Sequence, residues 1–329
     1  PDERGITMKD MRRILIVAVL VFCASFALLS VGSIQLSLSE LWQSFFGGKD
    51  AFIVQNYRLP RTVLAFLAGA SFALAGVVLQ SVIRNPLISP DVIGVTNGAS
   101  LFAVLTIALV PDGPLLLTPI AAFIGAALVM IALLMLERGG NVSRSSFALL
   151  GIAVSAICAS GTEYLLIKFP LQTNDSLVWL AGSLFGKGWQ EVLILAPVLV
   201  VIGAILFYRH RQLDVLSLSE EVSIGLGLPI QRTRHVFLAL AVTLAGVAVA
   251  TVGAIGFIGL IAPHMARRLV GHKHLVVLPM ALLLGGGLLV VADALGRGIH
   301  PPLEVPAGLI TAIIGVPYFL YLLRRERAA

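Results

Sequence analysis

Long apolar runs separated by short polar stretches dominate the pattern of this chain. The runs are rich in Leu, Ala, Val, Ile and Gly, and they lack the strict alternation of apolar and polar positions typical of membrane barrel strands. A helix needs ~20 apolar residues to cross a bilayer, and the pattern predicts ten such helices. They are Ile14–Val31, Thr62–Val82, Val92–Val110, Leu115–Leu136, Ser146–Ile167, Val192–Tyr208, Val236–Ile255, Gly256–Val270, Leu275–Leu295 and Val305–Leu323.

Composition supports lipid as the surrounding solvent. Hydrophobic residues make up 58% of the chain and charged residues only 12%, whereas soluble domains carry ~25% charged residues. Backbone polar groups within a bilayer must be satisfied inside the segment, which favours helices. The sequence therefore predicts an all-α polytopic protein with a single membrane domain over residues 1–329. We expect the first run to be a retained helix rather than a cleaved signal peptide, preceded by a cytoplasmic N-terminal extension over residues 1–13.

The distribution of basic residues predicts the orientation. Lys and Arg are enriched in the cytoplasmic loops of membrane proteins. With the N-terminus placed in the cytoplasm, only six of the 23 basic residues fall outside: Lys49, Arg58, Arg61, Lys168, Lys187 and Arg297. The net charge of +6 is explained by this orientation and does not require nucleic acid as a partner. The ten helices then place both termini in the cytoplasm.

A short internal repeat predicts two related halves. The sequence of Leu74–Val77 recurs as Leu244–Val247, each time in the second helix of a five-helix half. Each copy is followed by a segment broken by Gly or Pro, Asn85–Pro90 in one half and Gly256–His264 in the other. Because five is an odd number, the halves face opposite ways. Inverted halves with interrupted segments at matching positions are typical of transporters.

Two polar stretches are predicted to lie outside the spans. Ser37–Phe46 is amphipathic and is expected at the outer interface. The stretch 209–234 is the longest cytoplasmic segment. It contains a short predicted helix from Ser219 to Ile224, with Ser219 as the N-cap and Glu220 and Glu221 in the first turn. Gly225 and Gly227 are expected to end this helix.

The sequence lacks the motifs of an ATP-binding or catalytic protein. The stretch Ser183–Gly188 comes nearest to a phosphate-binding loop, but Ala181 and Gly188 occupy positions that need Gly and Ser or Thr. Ionisable residues in the spans are few: Glu163 and Asp293 lie near outer ends, and Asp293 is spaced to pair with Arg297. His272–His274 is interpreted as a solvated loop rather than a metal site. The chain is thus predicted to be a pathway without its own energy source.

Several ordered motifs resemble the FecCD-type permeases, the membrane subunits of ABC importers for ferric siderophores, haem and vitamin B12. The resemblance covers Arg58 to Arg325, and the stretch His300–Glu304 is most similar to the ferric-citrate branch. The motifs are Arg58–Arg61, Gly76–Gln80, Asn85–Val95, Trp179–Ser183, Leu218–Glu221, Gly225–Gly227, Gly256–Leu260, Pro263–His264 and Glu304–Gly308.

The resemblance implies a set of partners. Two permease subunits, identical or homologous, surround a central pathway in this family. An ATPase dimer binds inside and carries ATP–Mg, and an extracytoplasmic substrate-binding protein docks outside. This chain would bind no cofactor and no metal of its own. The substrate implied is a ferric siderophore, and the location is the bacterial cytoplasmic membrane.

The resemblance also assigns roles to residues. Ser219, Glu220, Glu221, Gly225 and Gly227 are expected to form the coupling helix and turn that contact the ATPase. The inner gate and pathway are expected to involve Asn85, Leu87, Ser145, Pro263 and His264. The docking of the binding protein is expected to use Arg58, Arg61 and Arg297, since arginines at matching positions meet acidic side chains within the family and arginine binds carboxylates bidentately.

Three alternatives remain open at this point. The substrate could be haem or vitamin B12 instead of a ferric siderophore. A secondary transporter driven by protons or sodium would need carboxylates at mid-span, which the sequence lacks. A membrane scaffold without transport activity is disfavoured by the broken segments in matching halves.

Overall fold

The structure is a computed structural model that describes residues 7–32, 34, 36–138, 144–218, 220–227, 229–301 and 303–326. Within these ranges, side chains are not described at 137–138, 144–146, 220–221, 224, 322–323 and 325–326. The helices are α1 (Met8–Leu28), α2 (Leu38–Phe45), α3 (Ala51–Ile53), α4 (Leu59–Ile83), α5 (Val95–Leu109), α6 (Leu117–Arg138), α7 (Arg144–Lys168), α8 (Thr173–Leu180), α9 (Trp189–Tyr208), α10 (His210–Leu216), α11 (Glu220–Gly225), α12 (Ile230–Val252), α13 (Ile258–Val270), α14 (His274–Ile299) and α15 (Ala307–Glu326).

Each of the ten predicted apolar runs coincides with a helix: α1, α4, α5, α6, α7, α9, α12, α13, α14 and α15. Among the described residues, seven helices are long and apolar enough to cross a membrane, and the shorter apolar helices are α5 and residues 307–321 of α15. The all-helical membrane architecture is therefore confirmed. That the chain makes ten crossings stays a prediction.

Helix α4 forms the centre of the core. It is apolar on every side, and nearly all its residues from Leu64 to Ile83 are buried. It contacts α9, α12, α13 and α14, while α12 also contacts α5 and α6. A helix that is hydrophobic all round is stable only when other helices or lipid cover it. By contrast, α1 has no buried residue and α7 exposes large apolar side chains, as expected for surfaces that face lipid or another chain.

Two short helices are preceded by irregular backbone that is partly buried. Helices α5 and α13 have 15 and 13 residues, so each spans about 20 Å at 1.5 Å per residue. Residues 85–94 lead into α5, and residues 253–257 lead into α13. Irregular backbone at membrane depth is tolerated where protein covers it or where it lines a cavity.

The predicted break in Gly256–His264 is wrong in its position. The irregular backbone ends at Phe257, and α13 then continues through Pro263 to Val270. Proline has no backbone N–H, so the carbonyl of Gly259 loses its helical donor. The side-chain Nε2 of Gln80 lies 3.4 Å from that carbonyl oxygen. This long hydrogen bond gives the carbonyl a partner, and the helix is not interrupted.

The polar stretches hold more helix than the sequence predicted. The amphipathic segment Ser37–Phe46 contains α2, which begins with a capping box between Ser37 and Glu40. Its position at the outer interface stays a prediction. The helices α8 and α10 were not predicted. Helix α10 is the first of two short helices in the stretch 209–234, and α11 is the second.

Candidate functional site

The two irregular segments approach each other in the interior. A Cβ added to Gly256 would lie 3.3 Å from Oδ2 of Asp91, and one added to Gly259 would lie 2.9 Å from Cδ of Pro90. The segments therefore approach each other at the ends that precede α5 and α13. A junction of two interrupted segments between packed helices is the kind of place where transporters bind or gate their substrate.

The sequence-predicted gate residues Asn85 and Leu87 follow the end of α4 directly. Arg84 ends that helix in the left-handed conformation, with φ of 54°, which is uncommon for a residue with a side chain. The Asn85 Oδ1 accepts a hydrogen bond from the backbone N–H of Leu87 at 2.9 Å. This turn, stabilised by an asparagine side chain, fixes the direction in which the chain leaves the helix. Both residues are half-buried.

The other predicted gate residues lie on different helices. Ser145 is in the first turn of α7, and its side chain lies outside the described residues. Pro263 is buried within α13, the helix that packs against α4. His264 is half-buried, and its ring centroid lies 6.0 Å from that of Tyr318 in an edge-on arrangement. The expectation that His264 sits at a helix break is wrong, because α13 is continuous there.

The segment predicted to contact the ATPase is a short helix followed by a turn, as expected, and its contact with an ATPase stays a prediction. Helix α11 ends at Gly225, one residue later than predicted, and the turn after it contains Gly227 with φ of +75°. That left-handed backbone suits glycine. A Cβ at either glycine would meet no atom within 4 Å, so both lie at an open surface. Ser219 is outside the described residues, as are the side chains of Glu220 and Glu221.

Helix α10 is fixed to the bundle by polar contacts that the sequence did not reveal. Asp214 Oδ1 accepts hydrogen bonds from His274, at 2.7 Å from Nδ1 and 2.9 Å from the backbone nitrogen. Burial raises the pKa of Asp214, but the hydrogen bonds from His274 outweigh burial and leave the pKa below its ordinary value. The Asp214 carboxylate is therefore ionised at neutral pH.

The interpretation of His272–His274 as a solvated loop is wrong for one member. His272 and Lys273 are exposed, whereas His274 is only 3% exposed and opens α14. Among the described residues, no group of three metal-ligating side chains is present. The available signal was Asp214, an acidic residue flanked by Leu213 and Val215 and preceded by the basic run Arg209–Arg211.

A compact charge cluster occupies the predicted outer ends of α4 and α14. The Nη2 atom of Arg61 lies 2.8 Å from Asp293 Oδ1 and 2.7 Å from Glu304 Oε2. Arg297 Nε lies 3.1 Å from Asp293 Oδ2, so the predicted pairing of these two residues is confirmed. With two arginines and two carboxylates, the cluster is balanced in charge.

The three predicted docking arginines all contact groups of this chain. Arg58 is 7% exposed and donates to the carbonyl oxygens of Leu29 at 2.8 Å and Ser30 at 3.0 Å. Arg297 is 4% exposed and Arg61 13% exposed. Their contacts give these residues an internal role in ordering the outer surface. Contact with a binding protein stays a prediction.

Comparison with known proteins gives a family and its relatives. Residues 15–325 match the model of the FecCD transport family. The chain is 47% identical over 320 residues to the Fe(3+)-citrate import system permease protein YfmE of Bacillus subtilis, covering 97% of this chain and 96% of the relative. It is 41% identical to the Fe(3+) dicitrate transport system permease protein FecD of Escherichia coli, covering 96% and 100%.

A solved structure shares the fold over nearly the whole length. It is an inward-facing conformation of a metal-chelate type ABC transporter, with a TM-score of 0.85 and 27% sequence identity. The superposition covers 96% of this chain and 99% of that one.

Proposed function

The chain belongs to the FecCD transport family, and on that premise we propose that it forms the membrane pathway of an ABC importer for a ferric chelate, with ferric citrate as the first candidate. The proposal of ferric citrate as the substrate rests on the full-length similarity to two ferric-citrate permeases. The permease moves its substrate across the bacterial cytoplasmic membrane, and a separate subunit hydrolyses ATP. Haem and vitamin B12 are weaker candidates.

Ten crossings in two inverted halves form the proposed topology, with both termini in the cytoplasm. Helix α4 packs against α13 and α14, and its counterpart α12 packs against α5 and α6. The two short helices α5 and α13 occupy matching places after α4 and α12. This exchange of partners between halves supports the inverted repeat suggested by Leu74–Val77 and Leu244–Val247.

Energy enters through the proposed coupling segment, residues 219–227. Helix α11 and the turn at Gly227 lie at an open surface, at the end of the bundle where basic residues are concentrated. A partner ATPase dimer would receive this helix in a surface cleft. A second permease subunit, identical or homologous, would complete the pathway on the exposed side of α7.

The inner gate is proposed at the turn formed by Asn85 and Leu87, together with the start of α7 at Ser145. Pro263 and His264 are proposed to border the same pathway from α13. The irregular backbone of residues 85–94 supports this proposal, because only a cavity or surrounding protein can cover such backbone at membrane depth.

The outer charge cluster is the proposed docking region for the binding protein. Arg61 is the most exposed of the three arginines, and it would exchange Glu304 for a carboxylate of the partner. The test is the affinity of the binding protein for an Arg61→Glu variant, with charge reversal at the exposed Lys49 as a control. Docking through this ion pair predicts weaker binding for Arg61→Glu only. Added salt should weaken the binding of the wild type more than that of the variant.

Uptake of labelled substrates in a deletion strain tests the proposed substrate. Cells that lack this chain should lose uptake of ferric citrate and regain it when the chain is restored. Haem and cobalamin uptake, measured in the same cells, should be unchanged. Loss of haem or cobalamin uptake alone would instead assign the chain to that substrate.

A further inference from the structure

Three polar side chains form one continuous hydrogen-bonded link at the predicted cytoplasmic side of the bundle. His274 Nδ1 lies 2.7 Å from Asp214 Oδ1, and His274 Nε2 lies 2.6 Å from Ser81 Oγ. Asp214 belongs to α10, His274 to α14 and Ser81 to α4. The link therefore joins a short loop helix to two helices of the core.

The hydrogen bonds of this link are buried and shielded from water. Ser81 is 4% exposed and His274 is 3% exposed, so water does not compete for their hydrogen bonds. An ionised Asp214 accepts hydrogen bonds only, so His274 Nδ1 carries a proton. Ser81 Oγ lies 2.7 Å from the carbonyl oxygen of Val77. Ser81 can donate to that oxygen and accept from a charged His274, or donate to a neutral His274, so the link is satisfied in both states.

The order of acid, histidine and serine resembles a hydrolase triad, but the site does not fit hydrolysis. A nucleophilic serine must meet its substrate beside an oxyanion-binding pocket. Ser81 instead lies inside α4, buried on all sides and back-bonded to its own helix. The link therefore holds helices together and does not perform chemistry on a substrate.

Further contacts extend the link at both ends. Ser223 Oγ of the coupling helix α11 donates to the carbonyl oxygen of Val215 in α10 at 2.8 Å. Arg84 Nε donates to the carbonyl oxygen of Leu216 at 2.8 Å. Arg84 immediately precedes Asn85, the proposed gate residue. A movement of α11 and α10 would thus pull on the end of α4 at two points.

We propose that Asp214, His274 and Ser81 are positioning residues that transmit the movement of the coupling helix to the inner gate. The proposal rests on the proposed function, since it requires an ATPase that moves α11. His274 is the central element because its ring hydrogen-bonds both to Asp214 of α10 and to Ser81 of α4. Without it, the ATPase would still bind and hydrolyse ATP, but α4 would follow the movement poorly.

The test uses the complete importer, with its ATPase and binding protein, reconstituted in liposomes. Uptake of labelled ferric citrate and ATP hydrolysis are measured together, and their ratio is the readout. His274→Ala and Ser81→Ala should keep ATP hydrolysis and lower the uptake per ATP. Coupling between sites typically corresponds to a ~5- to 150-fold effect, so we expect a fall of at least ~5-fold. The exposed neighbour His272 provides the control, His272→Ala, which should match the wild type.

Substitutions that change few atoms separate coupling from folding. Ser81→Ala removes a single oxygen atom, so it decides the question if His274→Ala fails to insert. Asp214→Asn retains an oxygen that accepts from Nδ1 and should restore part of the ratio lost in Asp214→Ala. An unchanged ratio in Ser81→Ala and His274→Ala would overturn the proposal, as would a parallel fall of hydrolysis and uptake. If the wild-type importer itself fails to use ATP for uptake, the proposed function fails instead.

Discussion

Gly76 and Gly259 lie back to back in the core. A methyl group on Gly76 would come within 1.9 Å of the carbonyl oxygen of Gly259, far inside van der Waals contact. The contact joins α4 to the start of α13, at the place where the two irregular segments approach each other. In helix packing within a membrane, small residues allow this closeness of backbones.

Gly76→Ala is expected to destabilise the protein by ~1–3 kcal/mol, the typical cost of overpacking a core. The measurement is thermal unfolding in detergent, where the variant should unfold at a lower temperature. The matched control is Gly203→Ala in α9, where the nearest atom to the new methyl group lies at 4.0 Å. Alanine is favoured over glycine in helices by ~0.5–1 kcal/mol, so the control should be neutral or slightly stabilised. Equal effects in the two variants would contradict the close contact.

Cysteines at Asn85 and Ser145 are expected to change their reactivity with the nucleotide state. If both positions line the inner gate, polar thiol reagents should reach them in one state and not in another, or the pair should crosslink across the permease interface. The background is a variant without Cys23 and Cys158. Complete inertness in the apo, ATP-bound and ADP-bound importer would place both residues outside the gate.

Bulky residues at the two coupling glycines should have different effects. Gly225→Val places its side chain in open space, so it should leave folding intact and disturb only the contact with the ATPase. Gly227→Val adds a left-handed backbone strain of ~1–2 kcal/mol. Both should lower uptake per ATP, and Gly227→Val should also lower the unfolding temperature. Normal uptake in the double variant would argue against a coupling role for this turn.

Asp293 should be essential for the stability of the outer surface. Asp293→Asn removes the carboxylate shared by Arg61 and Arg297, and breaking a buried ion pair typically costs ~3–5 kcal/mol. We expect low yield and a lower unfolding temperature, even in the absence of the binding protein. Glu163→Gln, at an exposed carboxylate in α7, serves as the control. A fully stable Asp293→Asn protein would show that the cluster is not structural.

The apolar helices could be predicted from the sequence because each coincides with a run of apolar residues, including the short helices α5 and α13. The short helices α8 and α10 could not be predicted, because eight and seven residues are too few for a hydrophobic pattern to identify. The six-residue helix α11 could be predicted from its capping residues. The sequence predicted the break near α13 at the wrong position because Pro263 is a strong local signal for a helix break. The side chain that compensates for the missing donor, Gln80, is distant in sequence. Local pattern does not report such tertiary partners.

In the candidate site too, local spacing predicts some contacts and only tertiary packing creates the others. Asp293 and Arg297 lie one helical turn apart, so their pairing follows from spacing alone. Arg61 and Asp293 are distant in sequence, and only the packing of α4 on α14 brings them together. The same holds for Ser81, His274 and Asp214, which belong to three different helices. The sequence identified Arg58, Arg61 and Arg297 at the outer helix ends, but their burial depends on long-range contacts that local pattern does not report.

ATP-driven import of ferric citrate is tested most directly by uptake of the labelled compound into liposomes that contain this chain, its partner ATPase and its binding protein. The uptake should require ATP on the ATPase side, stop when an ATPase-inactive variant is substituted, and persist when proton and sodium gradients are dissipated. Uptake that continues without ATP, or that collapses with the ion gradients, would contradict ATP-driven import.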